Sequence, residues 1–590
     1  MIDGRLTALR REMKKRKIAV YVVPSSDFHN SEYVGDYFKA REYITGFTGS
    51  AGTAVITMTD AGLWTDARYF IQAARQLRNT GIKLYRMGEE RVPEVNDYIE
   101  RNLKEEENIG FDGRLVSAVK GEELAEIARK KHGAVRMEDD LIGRIWKERP
   151  PLSANNTWIL DTKYTGMGAW QKIDQVRRRM TEEGANVHLI SSLTDIAWLL
   201  NLRGNDIAYV PVTLSYFSVS RENCIWFAQE QAIPQTVLAY LHMNDIEIRP
   251  YDSFRDYVKT LKGKRILLNK KVVSYRIFKS IPDSAEIIDR PDPTEILKAV
   301  KNPVEVNNSK IAHRKDGVAM CRLMYWLKTN VGKTPMTELS VSNYLSELRE
   351  EQDGFLEQSF ETICAYADHG AIVHYSATPE TDAEIEPEGL LLIDSGAHYR
   401  EGTTDVTRTF VLGPITEEMR ANFTRVCRAN INLANASFLK GVTTGTLDMI
   451  AREPMWEAKL DYKHSTGHGV GHLLSVHEGP NRFHWKTADC ELKVGMITTD
   501  EPGLYFEKKY GIRLENELVC CADQANEYGQ FLRFENITYV PIDLDGIDPE
   551  QMSAVERRRL NDYHKMVYQE ISPYLEEEEQ EWLAKATREI

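Results

Sequence analysis

Apolar residues at helical spacing open the chain. Leu6, Leu9 and Met13 recur inside a charged stretch and predict an amphipathic helix. A β-rich run from Ile18 to Val23 follows and ends at Pro24, which predicts a strand. The same arrangement returns 167 residues later without a gap: Ile173, Val176 and Met180 repeat the stripe, and Val187 to Ile190 repeat the strand. Further on, Tyr43-Ile-Thr-Gly-Phe-Thr-Gly49 resembles Trp198-Leu-Leu-Asn-Leu-Arg-Gly204, at a shorter offset. Matching order over about 30 residues predicts two related α/β domains. Arg149-Pro150-Pro151, after the helix-like Leu141 to Lys147, predicts a linker, since proline fixes φ and removes a donor. A second junction is expected between Pro291 and Pro303, ahead of a long amphipathic stretch from Val304 to Val331. The expected domains are therefore 1–152, 153–300 and 301–590. Glu576 to Glu579 reads as a solvated helix face.

Composition narrows the classes. The chain has 590 residues, of which 42% are hydrophobic and 28% charged, an ordinary globular mixture. Each expected domain is long enough to bury its own core. Lys and Arg total 75 against 89 Asp and Glu, a net charge of −14, which argues against a nucleic-acid binder. No uncharged apolar run is long enough for a membrane span, and no apolar signal region appears at the N-terminus. The seven cysteines show no CxxC spacing, so reduced thiols and a cytoplasmic location are expected.

The chemistry concentrates in the third domain. Eight of the 14 histidines fall between His369 and His484. Leu390-Leu-Leu-Ile-Asp-Ser-Gly396 is an apolar run that ends in Asp394. Eleven residues on, Asp405 stands in Gly402-Thr-Thr-Asp-Val-Thr-Arg-Thr-Phe410, which reads as a returning strand. A hairpin would bring the two acids together, where they repel unless a cation or shared proton compensates. His464-Ser-Thr-Gly-His-Gly-Val-Gly-His472 surrounds His468 with glycines that allow close backbone approach. It lacks the glutamate of a helical HExxH site and the lysine of a P-loop. Val476-His-Glu-Gly-Pro480 follows, then Glu501 in Thr498-Thr-Asp-Glu-Pro-Gly-Leu-Tyr505. Gly511-Ile-Arg-Leu-Glu-Asn-Glu-Leu-Val519 alternates like one strand, with Arg513, Glu515 and Glu517 on a common face.

In this order, Asp394, Asp405, His468, Glu501 and Glu515 resemble the dinuclear metal site of the creatinase/methionine-aminopeptidase, or pita-bread, peptidases. The strings LIDSGA, GTTDVTRT, STGHGVG, VHEGP, TDEPG and RLENE are most similar to aminopeptidase P, and Ala371-Ile-Val-His-Tyr375 matches that family's substrate-side segment. The resemblance implies a mixed α/β and α+β chain: two creatinase-N-like α/β domains followed by a pita-bread catalytic domain. It implies two divalent metals. Oxygen-rich ligands with one nitrogen favour Mn²⁺, and Zn²⁺ or Co²⁺ fit the same donors. Asp405 and Glu515 would bridge the metals, Asp394 would chelate one, and His468 and Glu501 would bind the other. Glu501 would also act as acid and base. His374 and His477 would contact substrate and stabilise the oxyanion, His464 would line the site, and Arg68, in Trp64-Thr-Asp-Ala-Arg-Tyr69, would touch substrate. His369 stands where the family commonly has asparagine, so its role is open, as is that of His472.

The implied activity is removal of the N-terminal residue from peptides with proline second, by a homodimer. A prolidase restricted to Xaa-Pro dipeptides is the nearest alternative. A metal-free pita-bread module binding peptides or histones is the alternative from another class, and the presence of all five ligands argues against it.

Overall fold

The repeated helix–strand pattern forms two six-stranded sheets with one connectivity. In a computed structural model that describes residues 2–487 and 489–590, the first sheet contains β1 (Ile18–Pro24), β2 (Thr53–Thr57), β3 (Ala61–Thr65), β4 (Lys83–Arg86), β5 (Asn108–Phe111) and β6 (Val135–Arg136). Their order is β4-β3-β2-β1-β5-β6. In the second sheet Ile246–Pro250, Cys224–Ala228, Ser215–Ser220, Val187–Ile190, Arg265–Leu268 and Glu286–Asp289 take the same places. Each repeated run pairs antiparallel on one side and parallel on the other. The stripes behave as their spacing predicts: Leu6, Leu9 and Met13 are buried on helix Ile2–Lys15, and Ile173, Val176 and Met180 on helix Ala169–Glu182. Even the second similarity has a counterpart. Gly46 (φ 76°) and Asn201 (φ 53°), which occupy equal places in the two strings, both end a helix in the left-handed region.

Both sheets lie in one compact unit, which ends at Asp161 and resumes over Met167–Glu295; Thr162–Gly166 and Ile296–Ile590 form the other. In the first unit His29 ties the two sheets' domains together, with Nδ1 2.9 Å from the Ser191 carbonyl and Nε2 2.7 Å from the Tyr251 hydroxyl. Pro150-Pro151 therefore joins two halves of one unit.

In the second unit, helix Pro303–Asn330 starts from a capping box: the Asn302 side chain accepts from the Val304 and Glu305 N–H groups, and Pro303 sits in the first turn. Its apolar positions, among them Ala319, Met320, Leu323 and Leu327, pack into the core behind strand Leu390–Ser395. That strand lies between Ile363–Tyr366 and Val406–Val411. A six-stranded sheet runs in the order Ser437–Leu439, Gly529–Asn536, Asn516–Asn526, Ile497–Asp500, Gly467–Gly469, Glu478–Phe483. One expectation fails here. The run from Gly511 to Val519 is two strands, because Tyr510–Arg513 pairs with Gly503–Phe506 while Asn516–Asn526 enters the larger sheet. Leu514 and Glu515 lie at the crossing, and the Glu515 N–H turns to the Thr407 carbonyl at 3.0 Å. Among the described residues, no helix is long and apolar enough to cross a membrane.

Helix Ala554–Ile571 carries a buried histidine with a consequence for stability. His564 is fully buried, and its Nε2 accepts the Ile542 N–H at 3.0 Å, so protonation would break that bond. Burial, helped by the positive charges of Arg408 and Arg588, pushes its pKa down to about 3. A histidine lowered on folding gives stability that is full above its unfolded pKa and is lost as pH falls toward the folded one. This group alone is expected to remove on the order of 4 kcal/mol as pH falls from about 6.5 to 3. Urea unfolding at pH 7 and pH 4 should show a smaller acid loss in His564→Gln than in the wild type.

Candidate metal centre

The five residues singled out in the third domain come from strand ends that meet. Asp394 is the fifth residue of Leu390–Ser395, opposite Thr407 on the returning strand, and Asp405 stands just before that strand begins. His468 is the middle residue of Gly467–Gly469, Glu501 follows Ile497–Asp500, and Glu515 precedes Asn516–Asn526. Glycine makes this approach feasible: a Cβ at Gly467 would lie 1.8 Å from the Thr499 carbonyl oxygen.

One donor atom from each of Asp405, His468 and Glu515 lies within 4.8 Å of the others. His468 Nε2 is 3.4 Å from Asp405 Oδ2 and 3.6 Å from Glu501 Oε1. The other ring nitrogen orients the imidazole: Nδ1 donates to the Gly469 carbonyl at 3.1 Å, which turns Nε2 toward the acids. The Asp394 Oδ1 atom is buried without a hydrogen-bond partner, while its Oδ2 accepts from Arg513 Nη2 at 2.6 Å.

Burial and crowding both disfavour charge here. Asp405 is driven well above the usual carboxylate range, first by burial and then by Asp394 and Glu501. Glu515 is driven up by burial and by Asp405 and Asp394, and Glu501 by burial, against the pull of His468 and Arg513. Four carboxylates and one imidazole around an orphaned oxygen are the donor set that two hard divalent cations would complete.

Arg513 is the principal residue the sequence did not reveal. It is buried, and besides Asp394 it donates to Tyr505 Oη (2.8 Å), Thr407 Oγ1 (3.3 Å) and the Val373 carbonyl (3.3 Å). Thr407 Oγ1 in turn donates to Glu515 Oε2 at 2.7 Å. The guanidinium thus spans Asp394, the Glu515 support and the segment carrying His374. The available signal was its position two residues before Glu515, but strand parity alone reads such an arginine as solvated.

The histidines divide clearly. His477 meets the His468 ring edge to face, with centroids 4.3 Å apart at 89°. His374 is half-buried beside Val373. Both nitrogens of His464 are engaged: Nδ1 donates to the Ser465 carbonyl (2.7 Å) and Nε2 accepts from Tyr505 Oη (2.9 Å). His369 supports the His374 segment, with its Nδ1 2.8 Å from the fully buried Glu338 and its ring stacked on Tyr375. Glu338 also accepts from Tyr375 Oη at 2.8 Å and the Tyr366 N–H at 2.7 Å. His472 lies away from the acids, with Nε2 donating to the Tyr164 carbonyl at 3.0 Å. Arg68 belongs to the first unit, where Nε and Nη2 donate to the two Asp66 oxygens at 2.8 and 2.9 Å and Glu32 lies 3.7 Å away.

Residues 307–521 match the model of metallopeptidase family M24, and 530–590 match the C-terminal region of peptidase M24. Residues 5–137 and 148–305 each match a creatinase/prolidase N-terminal domain. Fold and site together define an M24 metallopeptidase with creatinase-type N-terminal domains. Among its relatives, a probable Xaa-Pro aminopeptidase P of Coprinopsis cinerea is 37% identical, covering 99% of this chain and 98% of that one. Aminopeptidase P2 of Arabidopsis thaliana is 36% identical over 100% of this chain and 88% of its own. The crystal structure of a Caenorhabditis elegans X-prolyl aminopeptidase, described as a cytosolic enzyme with a di-nuclear active site, covers all of both chains at 30% identity with a TM-score of 0.95. The chain belongs to the aminopeptidase P, or Xaa-Pro aminopeptidase, branch of that family.

Proposed function

We propose that this protein is a metal-dependent exopeptidase that removes the N-terminal residue from peptides whose second residue is proline, using two divalent cations held by Asp394, Asp405, His468, Glu501 and Glu515. The observation that carries the reading is the convergence of Asp405, His468 and Glu515 in a buried acid cluster, in a chain similar over its full length to Xaa-Pro aminopeptidases. Asp405 and Glu515 would serve both cations, Asp394 one, and His468 with Glu501 the other. The oxygen-rich set favours Mn²⁺. When bound, such cations polarise the scissile carbonyl and acidify the attacking water.

The chain's own residues do the rest. Glu501, with a carboxyl raised by burial, is suited to take the proton of the attacking water and return it to the leaving nitrogen. His374 and His477 would donate to the carbonyl oxygen as negative charge develops there, a contact typically worth about 2.7–4 kcal/mol of barrier. His464, held by Tyr505, would line the substrate site. An Xaa-Pro amide lacks an N–H and carries a fixed ring, so a cleft that asks for no hydrogen bond at that nitrogen admits it, and an apolar pocket for the ring would select it. The reading extends to a cytoplasmic enzyme, supported by the cytosolic description of the C. elegans relative, and to a homodimer, supported by the family resemblance.

A panel of peptides varying length and second residue tests the specificity. Cleavage of Arg-Pro-Pro and longer Xaa-Pro peptides, with loss of turnover when alanine replaces the proline, is the expected result. Cleavage confined to Xaa-Pro dipeptides would make the enzyme a prolidase instead.

A further inference from the structure

A buried layer of charge lies behind the histidine loop, and the reaction as described makes no use of it. Helix Pro293–Ala299 ends with Lys298 in its last turn, and the chain then adds to the edge of the catalytic unit: Val300 bridges Met496, and the Lys301 N–H donates to the Gly495 carbonyl at 3.1 Å. Both side chains turn inward, and each residue is only 4–5% exposed. Lys298 Nζ lies 2.8 Å from Glu478 Oε2. Lys301 Nζ donates to the Val470 carbonyl at 2.5 Å, with the charges of Glu478, Glu305 and Glu517 around it.

These two anchors bracket one loop. Val470 is two residues after His468, and Glu478 is the residue after His477. Between them, the Gly471 N–H closes on the Ser475 carbonyl at 2.9 Å, and Glu478 Oε1 accepts the Ser475 N–H at 3.2 Å. The loop is thus held at its start by Lys301 and at its end by Lys298 through Glu478. Stability alone does not account for such groups. Each buried ion costs several kcal/mol in lost hydration, and an apolar pair of similar volume is often neutral or stabilising in its place. What an ammonium supplies, and a methyl group does not, is a directed donor to a chosen carbonyl, as at Lys301, and a positive charge beside a chosen carboxylate, as at Lys298.

We propose that Lys298 and Lys301 are positioning residues, which fix the 470–478 loop and through it the imidazoles of His468 and His477. The inference rests on the reading of His468 as a metal ligand. Supporting groups of this kind change metal affinity or activity by about 10- to 100-fold when removed.

The test uses the full-length protein, wild type and variant, stripped of metal and titrated with Co²⁺ while visible absorption is followed, with thermal unfolding of the metal-free protein and kcat and KM measured alongside. Lys298→Met takes away the cation 2.8 Å from the buried Glu478, so the melting temperature falls. Lys298→Met/Glu478→Gln removes both charges and is expected to recover that temperature, yet to bind Co²⁺ about 10- to 100-fold more weakly and to lose kcat with little change in KM. Lys301→Met is expected to weaken Co²⁺ binding likewise, with a lower melting temperature because Glu478, Glu305 and Glu517 lose its charge, and Lys298→Arg to retain wild-type affinity. Wild-type Co²⁺ affinity and kcat in the folded double variant would overturn the inference alone. Wild-type protein that takes up no Co²⁺ would overturn it together with the reading of the metal site.

Discussion

Asp405→Asn is expected to abolish turnover while leaving the protein folded. Asp405 sits at the centre of the acid cluster, 3.4 Å from His468 Nε2, and is crowded by Asp394 and Glu501. In the proposed site it serves both cations, and a neutral amide offers one weaker oxygen in place of two charged ones. If the paired cations supply several kcal/mol of charge stabilisation, and each 1.36 kcal/mol is tenfold in rate, kcat/KM should fall by at least about 10³-fold. The metal-free variant should unfold at a temperature no lower than that of the metal-free wild type, because one buried, mutually repelling carboxylate has been neutralised. Near-normal rates in a folded variant would remove Asp405 from the ligand set.

The second large effect is expected at Arg513. Its guanidinium is the buried partner of Asp394 and holds Tyr505, Thr407 and the Val373 carbonyl. Arg513→Met leaves Asp394 buried without its cation, a loss of about 3–5 kcal/mol when one member of a buried pair is removed. Arg513→Lys keeps the charge but not the planar fork, which reaches several acceptors at once. That variant should retain most of the stability and still lose about 10- to 100-fold in activity, through misplaced Asp394 and Tyr505. Equilibrium unfolding and steady-state kinetics on both variants separate the two effects. Equal activity in Arg513→Lys and the wild type would reduce Arg513 to a structural ion pair.

The five candidate ligands stood out together only through strings that resemble the family, and the structure brings Asp405, His468 and Glu515 within reach of one another. Glycine flanks His468, proline and glycine follow Glu501, and an apolar run leads into Asp394. The duplication was legible because helix stripe and strand keep their spacing through 167 residues, and the two sheets repeat the same order. The supports were not legible. Arg513 alternates with apolar neighbours exactly as a wet-side residue would, and only the packing of strand Tyr510–Arg513 against the Asp394 strand makes it a clamp. Glu338, Lys298 and Lys301 are common residues in ordinary helices or their ends, each tied to a partner tens to nearly two hundred residues away. Strand parity also misled at Leu514 and Glu515, where the chain changes sheets and alternation continues across the break.

If paired cations on these five residues are required for Xaa-Pro cleavage, activity must follow metal content in a single titration. Protein stripped by a chelator, with its metal content measured, is reloaded stepwise with Mn²⁺ while cleavage of Arg-Pro-Pro is followed. Stripped protein should show no turnover, and activity should recover and level off at two equivalents of metal per chain. Full activity in protein shown to contain no metal would contradict that requirement.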